Sequence, residues 1–401
     1  MAAVGQHTDV VKTPKGVGPL LVSTGVSVAG DGAFMAAAPL LAATLTRSPV
    51  AVSLVTAATY IPWLLIGLPA GALVDRWPKR LVMISADLIR VVCLAVLCVL
   101  IWSDRATLAI LAVTILVVGT GQCFFDPAAQ GIIPEVAGTD RATLDHVNGR
   151  FWALDSLGRA LIGPFGGSWA FTFGRAFPFL GDCASFLVSA AAVSRLPRLT
   201  PPPGPHEPVL TAIKSGVRLL VRTRELLVLA LGMGAYNFGY NLAFATFVLY
   251  TESVLKVGAV AYGGLLASMA VGGVVAGWRG TRLVKGRPAR QVHAVALTVQ
   301  GITWAVVALT ANVWVAAAVF VVSGAGSTLT TVAVSSARQT LAGDGNVGRV
   351  VAAFRVLGLG MAGIGALAGG AIATGFGLTA PMIVAAFVQL IAAALVWAFR
   401  H

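Results

Sequence analysis

The chain has 401 residues, 57% of them hydrophobic and 11% charged, with a net charge of +13 and a mean hydropathy of +0.87. Soluble domains carry about 25% charged residues, and a soluble fold of this composition would expose large apolar patches and aggregate, so that class is excluded. The excess of bases does not point to nucleic acid, because they sit in short clusters between apolar runs.

The first nineteen residues, MAAVGQHTDVVKTPKGVGP, are polar and lack a cleavable signal pattern. The first apolar run is therefore expected to serve as an uncleaved insertion signal. A helix crosses a bilayer with about 20 mostly apolar residues. Six such runs follow in the first half, at 20–44, 50–73, 81–102, 107–130, 148–172 and 176–194. Six more lie at 226–250, 258–280, 290–310, 313–336, 348–374 and 379–399. They are continuous and about twice the length of a membrane strand, which argues for helices.

The longest polar break is Arg195 to Glu225. Its start, TPPPGP, cannot continue a helix. From Ala212 to Arg224, Ile213, Val217, Leu220 and Val221 share one face, and Lys214, Arg218 and Arg222 share another. This pattern suits a short amphipathic helix on the membrane surface, with a solvated linker as the alternative. The expected architecture is an all-α integral membrane protein of twelve helices in two pseudo-symmetric bundles, 1–194 and 226–401, joined by a linker at 195–225.

With the N-terminus in the cytoplasm, only Arg47, Arg105, Arg175 and Lys256 fall in outward loops, and Arg90 and Arg159 lie within spans. The remaining Lys and Arg face inward, so both termini and the linker are expected in the cytoplasm of a cell whose membrane holds the chain. The halves echo each other. Gly67, Gly71 and Arg76 match Gly273, Gly277 and Arg282, and Phe151, Gly166 and Gly167 match Phe354, Gly369 and Gly370. That fits a duplicated six-helix unit, with the glycines expected to serve close packing.

Between the second and third runs lies GALVDRWPKR. It resembles the loop signature of the major facilitator superfamily through Gly71, Leu73, Asp75, Arg76, Lys79 and Arg80, with Pro78 in place of the usual second glycine. SADLIRVVCL, GQCFFDPAAQGIIPEV, HVNGRFWALDSLGRALIGPFGG and GDCASFLVSA extend the likeness to the secretion-effector branch, which includes enterobactin exporters and macrolide efflux pumps. The resemblance implies the twelve-helix fold. It also implies a conformational latch of Gly71, Asp75, Arg76, Lys79 and Arg80, closed when the outside is open, with Asp75 on the start of the eleventh span near Gly348. A carboxylate there would complement the positive end of that helix. The wider superfamily's drug/proton antiporters carry an Arg in the fourth span; this chain has Gln122 and Asp126 and no Arg there.

Ionisable groups within spans cost at least about 2.5–3.5 kcal/mol, so they line polar paths or have partners. Asp31 lies roughly 18 Å into the first span. Asp87 and Arg90 are spaced i, i+3, and Asp155 and Arg159 i, i+4, so each pair shares a helix face. Asp126 and Asp182 complete the intramembrane charge network. Asp31 has no base within four residues and is flanked by glycines, which are expected to leave room for water or substrate. Two readings stay open for it: a proton-coupling or substrate acid, or a structural bond to Arg159. In the seventh span, Tyr236 and Tyr240 share one face, and Asn237 and Asn241 another. These four, with Gln122, Gln300, Trp304 and Gln389, are candidates for a cavity wall, with helix-to-helix hydrogen bonding as the alternative.

No GxxxxGK[ST], HExxH or GxSxG is present, no histidine is expected in the core of a span, and the four cysteines form no CxxC pair. Neither ATP hydrolysis nor enzymatic catalysis is expected, and no metal or cofactor. The function expected is secondary active transport: proton-driven export of an amphipathic small molecule such as a drug, antibiotic or siderophore-like metabolite. The partners are the substrate and the lipid bilayer, not nucleic acid, with the monomer as working unit. Import by the same fold is the alternative, and a receptor or membrane enzyme a remote one.

Overall fold

The computed structural model describes residues 16–138, 140–197, 209–343 and 347–399. The Pro-rich start of the linker and the extreme N-terminus lie outside them. Among the described residues all regular structure is helical. Twelve rods run back and forth. In order they are Val17–Leu45 (span 1), Pro49–Leu65 with Gly67–Val74 (span 2), Lys79–Trp102 (span 3), Leu108–Gly131 (span 4), Arg141–Leu157 continuing to Phe173 (span 5) and Phe177–Val193 (span 6). The second six are Arg224–Ser253, Ala259–Val284, Ala289–Leu309, Val313–Ala342, Val347–Phe376 and Ala380–Ala398 (spans 7 to 12). Nine of these are long and apolar enough to cross a membrane and the bent span 2 makes a tenth, so this is a multi-pass membrane protein. Span 6 is an apolar helix of 17 residues, and the first half of span 5 is polar.

Local chemistry explains where the rods depart from simple apolar runs. Span 2 bends by 43° between its two parts. Pro62 and Pro69 lack the N–H that would bond the carbonyls of Ala58 and Leu65, and the helix breaks just after each of those residues. Span 5 starts earlier than its apolar run suggests, because the Asp140 carboxylate accepts from the Thr143 N–H at 2.9 Å and caps the helix. At Gly158–Ile162 the same rod widens into one π-helical turn. Span 1 presses on it there: a Cβ on Gly158 would meet Val28 Cγ2 at 2.6 Å, and one on Gly32 would meet the Arg159 carbonyl at 2.8 Å. The amphipathic segment forms the helix Val209–Arg222, whose Gly216 lies against the backbone of Arg349 at the start of span 11.

Packing repeats between the halves. Span 1 lies on spans 5 and 6, and span 3 on spans 4 and 6; span 7 lies on spans 11 and 12, and span 9 on spans 10 and 12. The halves meet where span 2 packs on span 11 and span 5 on span 8. That packing runs along Pro49–Leu65 and Gly158–Phe173, and the linker-side parts Gly67–Val74 and Arg141–Leu157 have nothing comparable. The halves are therefore closed at the far face, away from the linker, and parted at the linker face. Several contacts among the described residues hold the far side. Arg47 and Glu252 pair at 2.5 Å, the Tyr60 hydroxyl donates to Asn241 Oδ1, and Gly370 sits where a Cβ would collide with Ser53 Oγ.

Gly370→Leu should therefore wedge spans 2 and 11 apart at the far face. Pulsed electron paramagnetic resonance between spin labels at Val50 and Phe376 should show a longer distance population. Gly166→Leu, at a glycine with open space around it, should leave that distance unchanged.

Candidate functional site

A cavity of about 410 Å³ penetrates from the linker face. It runs from Gln130 and Trp152 near that face to Tyr60 and Phe34 at mid-depth. Span 1 contributes Asp31, span 4 Gln122 and Asp126, span 5 Asp155 and Arg159, and span 11 Arg355. These six side chains come from four rods, so the packing that converges those helices also gathers the charges.

Arg159 is the hub. Its guanidinium lies 3.2 Å from Asp155, 3.5 Å from Asp31 and 3.8 Å from Asp126. The π-turn that begins at Gly158 adjoins this residue, where span 1 and span 5 touch backbone to backbone. Asp31 is shared: Arg90 approaches its other oxygen at 3.7 Å, and Gln122 Nε2 donates to Oδ2 at 3.2 Å. Arg90 is fully buried. It pairs with Asp87 at 2.5 Å and lies between the rings of Phe125 and Phe186, 4.8 and 4.0 Å from their centroids. Asp87 accepts further from Ser189 at 2.6 Å, and Ser189 meets Ser23 at 2.9 Å. Asp182 accepts from Ser185 at 3.0 Å, while its second oxygen is buried without a hydrogen bond.

Of the two readings of Asp31, the bond to Arg159 is made, and a second base, Arg90, reaches it from span 3. One expectation about Asp31 is corrected here. Its flanking glycines do not leave room for water or ligand. Gly30 makes room for Asp182 and Ser185, and Gly32 for the backbone of span 5. The spaced pairs Asp87–Arg90 and Asp155–Arg159 do meet as helix geometry dictates.

The second-half candidates fare differently. Trp304 is fully buried among Tyr240, Phe247 and Phe320, with ring centroids 5.6–6.0 Å away, and does not face the cavity. Gln300 and Gln389 are equally buried: Gln300 accepts from Ser323 and from Tyr236 at 3.4 Å, and Gln389 donates to the Tyr236 carbonyl at 3.4 Å. Asn241 is buried and occupied by Tyr60. These four serve packing and helix-to-helix bonding, because an amide in a span must be satisfied and a neighbouring helix is nearest. Tyr236 and Tyr240 stack at 6.4 Å and stay half-buried, while Asn237 donates to the Met233 carbonyl on its own helix at 2.8 Å.

At the linker face Lys79 donates to Glu135 at 2.5 Å and Arg80 to the Ser194 carbonyl, so both bases clamp the first bundle internally. Asp75 and Arg76 are exposed, the Asp75 carboxylate with no ion pair or hydrogen bond among the described residues, and Gly71 has open space around it. The contact from Asp75 to the start of span 11 is not made, because the halves are parted on that side. His293 corrects another expectation. It is buried within span 9, with Nδ1 2.6 Å from Thr330 Oγ1. Arg355 and Trp63 escaped the sequence reading altogether: Arg355 stacks on Trp63 with 4.5 Å from guanidinium carbon to ring centroid.

Comparison with known proteins decides the family. The family profile described as "transmembrane secretion effector" matches residues 20–401. The chain belongs to that family. It is 31% identical over 276 residues to the multidrug efflux pump Tap of Mycolicibacterium fortuitum, covering 63% of this chain and 66% of that one. It is 28% identical over 225 residues to Tap of Mycobacterium tuberculosis, covering 53% and 52%. The matches thus span about half to two thirds of these relatives' length. Among solved structures, a mutant of the nucleoside transporter NupG superposes with a TM-score of 0.78 at 12% identity, covering 96% and 99% of the two chains. A bacterial homologue of the iron transporter ferroportin, in an inward-facing state, gives 0.75 at 15%, covering 96% and 99%. A bacterial Spinster homologue, also inward-facing, gives 0.71 at 14%, covering 95% of each. At these identities the likeness establishes the fold.

The buried pair makes a thermodynamic prediction. Arg90→Met strands Asp87 in the protein interior, a loss of about 3–5 kcal/mol. Its melting temperature in detergent should fall well below that of the parent, and the double variant Asp87→Leu/Arg90→Met should recover part of the loss.

Proposed function

We propose that this protein is a proton-coupled exporter of amphipathic small molecules, working by alternating access with its linker face in the cytoplasm. The observation that carries the reading is the Arg159 hub: one guanidinium shared by three carboxyls that line a cavity open on the linker side. Behind it, Asp87 and Asp182 bring the network to five carboxyls against two guanidiniums. The cluster reaches neutrality with three added positive charges, supplied by protons or by a cationic ligand.

That balance yields antiport. Protons and the cationic part of a substrate compete for the same carboxyls, so the arrival of one favours the departure of the other. A molecule entering from the linker side lodges its apolar body against Trp63, Phe125 and Trp152 and its cation near Asp126 and Asp155. Closure behind it lets Asp75 meet the positive end of span 11. The far side opens as Arg47–Glu252 and Tyr60–Asn241 separate. Protons from outside then reload the acids and release the substrate. The Tap pumps, named for multidrug efflux, support the direction.

Inside-out vesicles with an imposed pH gradient test this. Uptake of a cationic dye should depend on the gradient and collapse with a protonophore. Asp31→Asn should abolish accumulation against a concentration difference while leaving downhill flux. Full gradient-driven accumulation by that variant refutes the coupling role, and uptake sustained by ATP with the gradient dissipated refutes the mechanism.

A further inference from the structure

Arg355 differs from the two guanidiniums of the first-half network. Arg90 faces two carboxylates and Arg159 three. Arg355, eight residues and about 12 Å into span 11, has no carboxylate within ion-pair distance among the described residues. Its side chain is exposed in the cavity, where its guanidinium carbon lies over the Trp63 ring, 4.5 Å from the centroid. An intramembrane guanidinium without a counter-ion is costly and marks a path or a ligand. Stacking over an indole holds the plane of the fork and leaves its N–H edge free for a bidentate acceptor. Gly67 lies beside the pair: a Cβ there would be in ordinary contact with Trp63 at 3.4 Å and with Arg355 Nη2 at 4.0 Å.

The cavity is thus divided by charge along the seam between the halves. The acids Asp31, Asp126 and Asp155 come from spans 1, 4 and 5, and Arg355 comes from span 11. Aromatic side chains fill the wall between, with Trp63 and Trp152 among them. From this geometry we infer that Arg355 is the anion-binding half of a bipolar site, and that the preferred substrate is an aromatic zwitterion. Its carboxylate docks on Arg355 and its cation on the first-half acids. Such a molecule is held by both halves at once, so its binding draws the parted linker-side ends together. A plain cation is held by the first half alone. The inference rests on the cavity being the substrate site, and it adds the ligand class and the residue that selects it.

The test uses the full chain in lipid nanodiscs and two fluorescent probes of one ring system: tetramethylrhodamine, a zwitterion, and its ethyl ester, a cation. Binding is read by fluorescence anisotropy. The parent should prefer the zwitterion, and Arg355→Gln should weaken zwitterion binding by about tenfold or more, the loss of a charge-assisted bidentate bond. Ester binding should change little, which also reports that the variant is folded. Arg355→Lys, which keeps the charge but not the fork, should fall between. Equal weakening of both probes by Arg355→Gln overturns the assignment, as does parent protein that prefers the ester or binds neither. Arg355-dependent zwitterion binding without any gradient-driven transport would leave this assignment standing and sink the exporter reading alone.

Discussion

Everything in the first bundle is arranged around the fact that two guanidiniums must serve five carboxyls away from bulk water. In a low-dielectric interior an unpaired charge is far costlier than in solution, so position is dictated by counter-charge as much as by packing. Asp31 can lie at mid-membrane because Arg90 and Arg159 reach it from opposite sides. Arg90 can be fully buried because Asp87, Asp31 and two aromatic faces surround it. Moving any one of these groups changes the charge seen by all the others, and the network behaves as a unit. The same property that stabilises the bundle makes its net charge sensitive to what occupies the cavity.

Small residues make that arrangement reachable. Gly30 and Gly32 bring span 1 close enough to spans 5 and 6 for Asp31 to sit among groups on other helices. Without them, a Cβ would strike Asp182 or the span 5 backbone, and the acids would be held apart. At the seam between the halves the same device serves a different end. Gly370 against Ser53 and Gly263 against Ser168 allow the far face to close with few polar bonds across it. A closure built from van der Waals contact, one hydrogen bond and one exposed ion pair is inexpensive to undo, since exposed pairs contribute only about 0–1 kcal/mol. That suits an interface whose role is to open.

How much of this could be read from the sequence depends on distance along the chain. Twelve apolar stretches mark the rods, and helix periodicity fixes pairs such as Asp87–Arg90 and Asp155–Arg159, because both partners ride one rod. Nothing comparable links Asp31 to Arg90, 59 residues away in the chain, and its bond to Arg159, one of two readings the sequence leaves open, follows only from the packing of span 1 on span 5. Glycines beside Asp31 were read as space for a ligand, whereas in a membrane bundle the first claimant for such space is another helix. Trp304, Gln300 and Gln389 misled for a related reason: polar and aromatic residues in spans are as often satisfied by neighbours as by substrates. Arg355 carries no mark of a site in the sequence, because one base near a helix end reads as a topology signal. Only the fold shows that it faces inward, onto Trp63, and not toward lipid headgroups.

The two halves share a packing plan but not a chemistry, and this asymmetry has a mechanical consequence. The first half carries the buried acids; the second is built on the aromatic cluster around Phe247, Trp304 and Phe320 and on amides bonded to neighbouring helices. Charge changes in the cavity therefore act on one side of the seam. The second half, which has no ion-pair network inside it among the described residues, gives those changes something to move against. Where it does project charge into the cavity, through Arg355, it does so at the level of Gly67, beside the linker-side part of span 2 that lies free of span 11. Attraction between a loaded first half and that guanidinium, whether direct or through a bound ligand, acts across the open gap and in the direction that closes it.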